Sequence, residues 1–186
     1  VSSADSDIDA VGACVGMRGS RVQNIIQELK GEKIDIVPWS PDPARFSCNA
    51  LSPARVNKVI LDESSKIMEV IVDEDQYSLC IGRRGQNVRL ASELTQWEIT
   101  VKTDIQLKEE QQSVVKLLLT LPNISEVNAN LLFAGGYHTL EDIAFGEIDS
   151  ISKSSGITNE EDINKIQLAA RNALKDRLRN IEVDDN

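Results

Sequence analysis

One stretch of this chain occurs twice. Residues 13–26 read Ala-Cys-Val-Gly-Met-Arg-Gly-Ser-Arg-Val-Gln-Asn-Ile-Ile, and residues 79–92 read Leu-Cys-Ile-Gly-Arg-Arg-Gly-Gln-Asn-Val-Arg-Leu-Ala-Ser, offset by 66 positions. Each is followed by a short β-branched run, Lys33 to Val37 after the first and Glu98 to Val101 after the second. A repeat on this scale dictates small units built alike, each reading helix, Gly-x-x-Gly, helix, strand.

Local chemistry supports those assignments. Short apolar stretches of helical spacing, Val11 to Val15 and Tyr77 to Ile81, precede the glycines, and glycine can end a helix in a left-handed conformation. After the loop, Val22, Ile25, Ile26 and Leu29 form an i, i+3, i+4, i+7 stripe, and Val88, Ala91 and Leu94 a less complete one, so each second helix is expected to bury one face. Ser20 and Gln86 stand at the helix starts and Gly31 just past the end of the first. Pro38, Pro41 and Pro43 then break the chain. Pro43 to Leu51 reads as a helix opened by proline, and Val56 to Leu61 with Ile67 to Val72 reads as a hairpin around 62–66. The second unit is thus complete over 42–103, whereas the first, 1–41, is expected to be truncated, with any earlier strands lying before residue 1.

From residue 104 the pattern predicts helices alone: Glu109 to Leu121, Val127 to Phe133, Leu140 to Ala144, Ile148 to Lys153 and Asn159 to Leu178. Val183 to Asn186 reads as a frayed acidic end or the start of a linker. Of the 186 residues 41% are apolar but 4% aromatic, so the cores must be built from Ile, Leu, Val and Ala. No stretch approaches the roughly 20 apolar residues of a membrane span, and no signal-peptide pattern opens the chain, which predicts a soluble cytoplasmic protein.

The net charge of −10 argues against a uniformly basic nucleic-acid-binding domain. Its distribution says more. Residues 104–186 carry 8 basic and 15 acidic residues, a balance of −7, while 1–103 carry 12 and 15, a balance of −3. The two glycine loops lie in acid-free windows: Arg18 and Arg21 fall between Asp9 and Glu28, and Arg83, Arg84 and Arg89 between Asp75 and Glu93. Glycines without Cβ let a sugar–phosphate backbone approach the main chain, the following helix offers N–H groups and partial positive charge, and arginines add charge-assisted contacts. Candidate RNA-contacting residues are Gly16, Met17, Arg18, Gly19, Ser20 and Arg21 in the first loop. Those of the second are Gly82, Arg83, Arg84, Gly85, Gln86, Asn87 and Arg89. Val15, Ile36, Ile81 and Ile99 are expected to line grooves for bases. The competing reading is a tight helix–helix corner whose arginines are merely solvated.

Other chemistry has little support. Cys14, Cys48 and Cys80 are odd in number and far apart, which predicts buried reduced thiols rather than disulfides or a metal site. The single histidine, His138, has no second ligand nearby and reads as a solvent-facing turn residue. Asp73, Glu74 and Asp75 read as a solvated acidic turn. Neither catalytic residue, metal nor cofactor is expected.

The paired units resemble tandem KH domains of the bacterial type II topology. The stretches Asp9 to Gly16, Gly31 to Trp39 and Gly85 to Ala91 closely resemble the NusA family of transcription elongation, termination and antitermination factors. The resemblance extends over nearly the whole chain and implies a class of fold: α+β, with two small KH units in tandem, the first truncated, followed by an all-α helix-hairpin-helix module over 104–186. It implies an RNA-binding factor that contacts nascent single-stranded RNA and RNA polymerase, modulates pausing, termination and antitermination, and acts as a monomer, with other Nus-type antitermination factors as further partners. Met17 stands where the family commonly has proline, which loosens the first loop. Arg84 stands where an acidic residue is frequent, which strengthens phosphate contact. The family's amino-terminal polymerase-binding domain and S1 domain are absent from the chain.

The helical module's hairpins, 121–125 without glycine and 155–158 with one, suit a protein-binding surface better than a phosphate-binding one. The resemblance suggests as its target either the carboxyl-terminal domain of the α chain of RNA polymerase or the protein's own KH region. Two alternatives stay open: a KH protein holding structured ribosomal RNA, and a DNA-binding accessory protein led by the helix-hairpin-helix part.

Overall fold

The computed structural model describes residues 1–184. The chain divides into two compact units, Val1–Ile105 and Gln106–Asn186. This groups 1–41 with 42–103 and sets the division two residues beyond the expected 103/104 boundary.

In the first unit, α1 (Ala10–Val15) leads through a tight 3-10 turn into α2 (Ser20–Glu28). The expected strand at 33–37 does not form: residues 32–40 belong to no ladder. A strand needs a partner to exchange hydrogen bonds with, and here the Val1 ammonium donates to Val37 O at 2.8 Å while Trp39 N–H donates to Val1 O at 2.7 Å. The apolar stripe of α2 is also less covered than its spacing predicts. Val22 and Ile26 are half-buried while Ile25 and Leu29 remain about half exposed.

Helix α3 (Pro43–Ala50) starts where sequence places it, capped by Asp42, whose Oδ1 accepts from Ala44 N–H at 3.0 Å. Strands β1 (Val56–Asp62) and β2 (Ile67–Val72) form the hairpin, followed by α4 (Glu74–Ile81), a second 3-10 turn, α5 (Gln86–Thr95) and β3 (Glu98–Thr103). The sheet order is β1-β2-β3, with β2 antiparallel to β1 and parallel to β3. Central β2 is apolar except at Glu69, and Met68, Val70 and Val72 meet Cys80, Ala91, Trp97, Ile99 and Val101 in one core. The helix–turn–helix therefore rests on a packed floor.

The second unit is all α. Helix α6 (Asp104–Leu118) begins five residues before its expected start and bridges the unit boundary; α7 (Glu126–Ala134), α8 (Leu140–Phe145), α9 (Ile148–Ser155) and α10 (Glu160–Asp184) follow. Reciprocal caps open α7 (Ser125 with Asn128) and α8 (Thr139 with Asp142). Leu118, Leu132, Ile143, Ile151, Ile163 and Ile166 form the core. Helix α10 runs on past Leu178 to Asp184, so the expected frayed end is helical at Val183 and Asp184, while Asp185 and Asn186 lie outside the described residues.

Candidate nucleic-acid interface

The two Gly-x-x-Gly loops have the same backbone. Gly16 and Gly82 adopt φ/ψ of 75/175° and 74/176°, Arg18 and Arg84 53/28° and 56/31°, Gly19 and Gly85 79/11° and 74/15°. In each, the second glycine's N–H donates to the first glycine's carbonyl, at 3.1 and 3.2 Å. The first glycine lies in a positive-φ, extended-ψ region that side-chain-bearing residues rarely enter. The residue before the second glycine is left-handed without being glycine, and in both loops it is an arginine.

A side-chain clamp explains the first glycine further. Asn87 Nδ2 donates to Leu79 O at 2.9 Å, and Arg21 Nη1 donates to Ala13 O at 2.5 Å. These are the same contact under the 66-residue offset, tying the second helix of each unit back to the first. A Cβ on Gly82 would lie 2.5 Å from Asn87 Cγ, and one on Gly16 would lie 2.8 Å from Arg21 Cγ. The clamp side chain occupies the space that any larger residue would need.

This revises the candidate list. Arg21 and Asn87 each hold a loop in shape rather than simply facing a ligand. Arg89 Nε donates to Glu93 Oε1 at 2.9 Å along α5. Arg18, Arg83, Arg84, Met17, Ser20 and Gln86 are exposed at the loops, whose glycines are half-buried. Around the second loop Arg83, Arg84, Gln86, Arg89 and Leu90 line an open cleft of about 740 Å³. Val15, Ile36 and Ile81 are half-buried, but Ile99 is 8% exposed and points into the core with Val101. Alternation along β3 decides this, since Ile99 and Val101 share the face turned to the helices.

Acid-free basic windows are not confined to the loops. Residues 43–61 carry Arg45, Arg55 and Lys58, and 163–175 carry Lys165, Arg171 and Lys175. Charge alone therefore did not single out the loops; charge together with backbone geometry does.

Several other polar side chains have structural partners. His138 is half-buried rather than solvent-facing: its ring stacks on Phe133 at 4.6 Å and Nε2 lies 3.2 Å from Phe133 O. Of the thiols, Cys80 alone is buried and Cys14 is exposed. Burial pushes the Cys80 thiol up to about 11, and burial with nearby Asp42 raises Cys48, so neither is a ready thiolate at neutral pH. The helical hairpins are closed inward. Asn123 Nδ2 donates to Asp162 Oδ1 at 3.2 Å, Asn128 Nδ2 donates to Ser155 O at 2.9 Å, and Ser152 Oγ donates to Ile157 O at 2.8 Å. Glu160, Glu161 and Asp162 occupy the first turn of α10 beside them. Among the described residues no group of three or more His, Cys, Asp or Glu is placed to hold a metal ion, and no helix is long and apolar enough to cross a membrane.

Known proteins are similar to this chain over the same segments. Residues 1–39 match the family model described as the NusA-like first KH domain, and 43–109 match that of the NusA-like second KH domain. The transcription termination/antitermination protein NusA of Rickettsia prowazekii (strain Madrid E) is 43% identical over 167 residues, covering 86% of this chain and 33% of that protein. The protein of the same name from Rickettsia conorii (strain ATCC VR-613 / Malish 7) is 44% identical over the same shares. The chain thus spans about a third of the length of these relatives. A solved structure named as the crystal structure of APE1850 is similar over 50% of this chain and 72% of its own at 24% identity, with a TM-score of 0.43 too low to bear on the fold. With matching loops built twice and both NusA-like KH models satisfied in order along one chain, this protein belongs to the NusA family.

Proposed function

We propose that this chain binds single-stranded RNA through its two glycine loops, as the RNA-reading part of a transcription elongation, termination and antitermination factor. The observation that carries this reading is the identical loop backbone at Gly16–Gly19 and Gly82–Gly85, each presenting an arginine from a left-handed position. Phosphates lie against the exposed main chain of Met17–Gly19 and Arg83–Gly85, Arg18, Arg83 and Arg84 supply charge, and Val15, Ile36 and Ile81 border the base grooves. Arg21 and Asn87 act as clamps. Residues 1–41 and 42–103 serve as two KH domains and 104–186 as a helical protein-contacting module. RNA polymerase is the partner alongside which the RNA is met, in the cytoplasm, and the protein acts as a monomer without a catalytic step or a cofactor. A DNA-binding role led by the helical hairpins is disfavoured by their inward hydrogen bonds and the acidic first turn of α10.

The test is an anisotropy titration of the chain against single-stranded RNA of roughly eight or more nucleotides, four per loop. Binding is expected, weakening as salt rises. The Arg18→Glu, Arg84→Glu double variant should lose affinity and keep its circular dichroism. Equal or tighter binding of duplex DNA would overturn the reading.

A further inference from the structure

The helical unit carries a surface whose charge is opposite to its own. Helices α8 and α10 border a groove of about 680 Å³. Leu168, Arg171 and Lys175 follow one another at helical spacing along α10, with Leu174 and Arg177 beside them, and Phe145 closes the α8 side. The lining is mainly apolar, and its rim holds three cations against one acid, Glu141, in a module whose overall balance is −7.

Two observations make this more than a solvated face. Phe145 is 74% exposed and Leu168 59% exposed, in a chain with few aromatic residues to spare. The groove's floor is also fixed in advance. Arg171 Nε donates to Ala144 O at 2.9 Å with its guanidinium 5.9 Å from the Phe145 ring, and buried Gln167 donates to Gly146 O at 2.8 Å. Ala144 O and Gly146 O are thereby satisfied, and Arg171 is held in place before a ligand arrives.

We propose that this groove docks an amphipathic helix whose polar face is acidic, contributed by a protein partner. An apolar face laid on Phe145, Leu168 and Leu174 would take them out of water, and carboxylates along its edge would meet Arg171, Lys175 and Arg177. Charge complementarity selects this occupant. A long polyanion such as RNA would run past the groove over a module of net charge −7, whereas a short helix meets mainly the three cations, with Glu141 the one acid in the lining. The inference is independent of RNA binding by the glycine loops.

The test uses the whole chain and a labelled helical peptide of roughly 15 residues, about four turns, with leucine at i, i+3, i+4 and i+7 and glutamate at the other positions. A companion peptide has lysine in place of each glutamate. The acidic peptide is expected to bind, and Phe145→Ala to weaken it about tenfold or more, as loss of a central aromatic anchor does. The Lys175→Glu, Arg177→Glu double variant, altered on the solvent side alone, should weaken it comparably and flatten its salt dependence. Any of four results overturns the proposal: no binding of the acidic peptide, equal binding of the lysine peptide, displacement of the acidic peptide by single-stranded RNA, or a dimer of the chain that Phe145→Ala dissociates.

Discussion

The two glycine loops share a backbone and differ in what stands beneath it. The second rests on a mixed sheet and a core of Met68, Val70, Val72, Cys80, Ala91 and Trp97. Under the first, none of residues 1–41, all of them described, is buried, and the segment after α2 meets Val1 instead of a strand. Yet the φ/ψ angles of corresponding loop residues agree to within a few degrees. Loop shape is therefore written locally, by two glycines, one left-handed arginine and one clamp. What the sheet adds is resistance to deformation, and the two loops should respond differently to the same insult.

The largest contrast is expected at the first glycine. Gly82→Ala forces a side chain into a positive-φ, extended conformation and sets its Cβ against Asn87, an amide already committed to Leu79 O. A loss of about 3 kcal/mol in urea denaturation of the sheet-bearing region 42–103 follows from strain plus clash. Gly16→Ala meets the same backbone strain and sets its Cβ against Arg21 Cγ and Cβ, but no buried core depends on that loop. Global stability should fall by less than about 1 kcal/mol there. Adding Asn87→Ala to Gly82→Ala removes the clash but not the strain, so it should recover part of the loss. Equal losses at Gly16 and Gly82 would show that 1–41 and 42–103 unfold as one and that the sheet does not set the difference.

The loops were legible in the sequence because their determinants are local. Glycine at fixed spacing, an apolar helix before and an amphipathic helix after are all visible in a window of about fifteen residues. The strand expected at 33–37 does not form for the opposite reason: a β-branched run becomes a strand only when another strand lies alongside, and propensity cannot supply one. Likewise Ile25 and Leu29 have the spacing of a buried stripe, but spacing does not say whether anything covers it. The clamps left a fainter trace. Arg21 and Asn87 differ in size and charge, and nothing marks either as reaching back eight residues to a carbonyl; the 66-residue offset, which makes them equivalent, was the available signal. Ile99 was placed on the groove because it lies on the strand after the loop, whereas the alternation of β3 turns it inward.

A smaller contrast should come from charge. The second loop presents Arg83 and Arg84, while the first presents Arg18 beside Met17, a residue 89% exposed with no charge to offer. Reversing charge in the second loop, with Arg83→Glu and Arg84→Glu together, should weaken single-stranded RNA roughly tenfold at low salt. Met17→Glu with Arg18→Glu should cost roughly threefold, and the two should converge as salt rises, since each neutralised phosphate releases a counterion. Titrations of both variants across a salt series decide the matter. Equal losses at low salt would mean that the loops contribute through their shape rather than through their cations.

The smallest effect concerns the hairpin that underlies the second loop alone. Asp62 accepts from the Ser64 hydroxyl at 2.6 Å, the Ser65 hydroxyl at 2.5 Å and Ser64 N–H at 2.9 Å, and these bonds hold its carboxyl down to about 2. A carboxyl depressed on folding contributes stability that is complete above its unfolded value, near 4, and is lost as pH falls through the folded value. Acid should therefore loosen the β1–β2 turn between about pH 4 and pH 2, with no counterpart at the first loop. Side-chain carbonyl NMR would show Asp62 titrating at about 2, moving up toward the ordinary range in a Ser64→Ala, Ser65→Ala variant, while the Met17–Gly19 amide signals stay in place. A titration midpoint near 4 in the parent chain would remove this asymmetry, and a simultaneous shift of the Met17–Gly19 signals would mean that the sheet reaches the first loop after all.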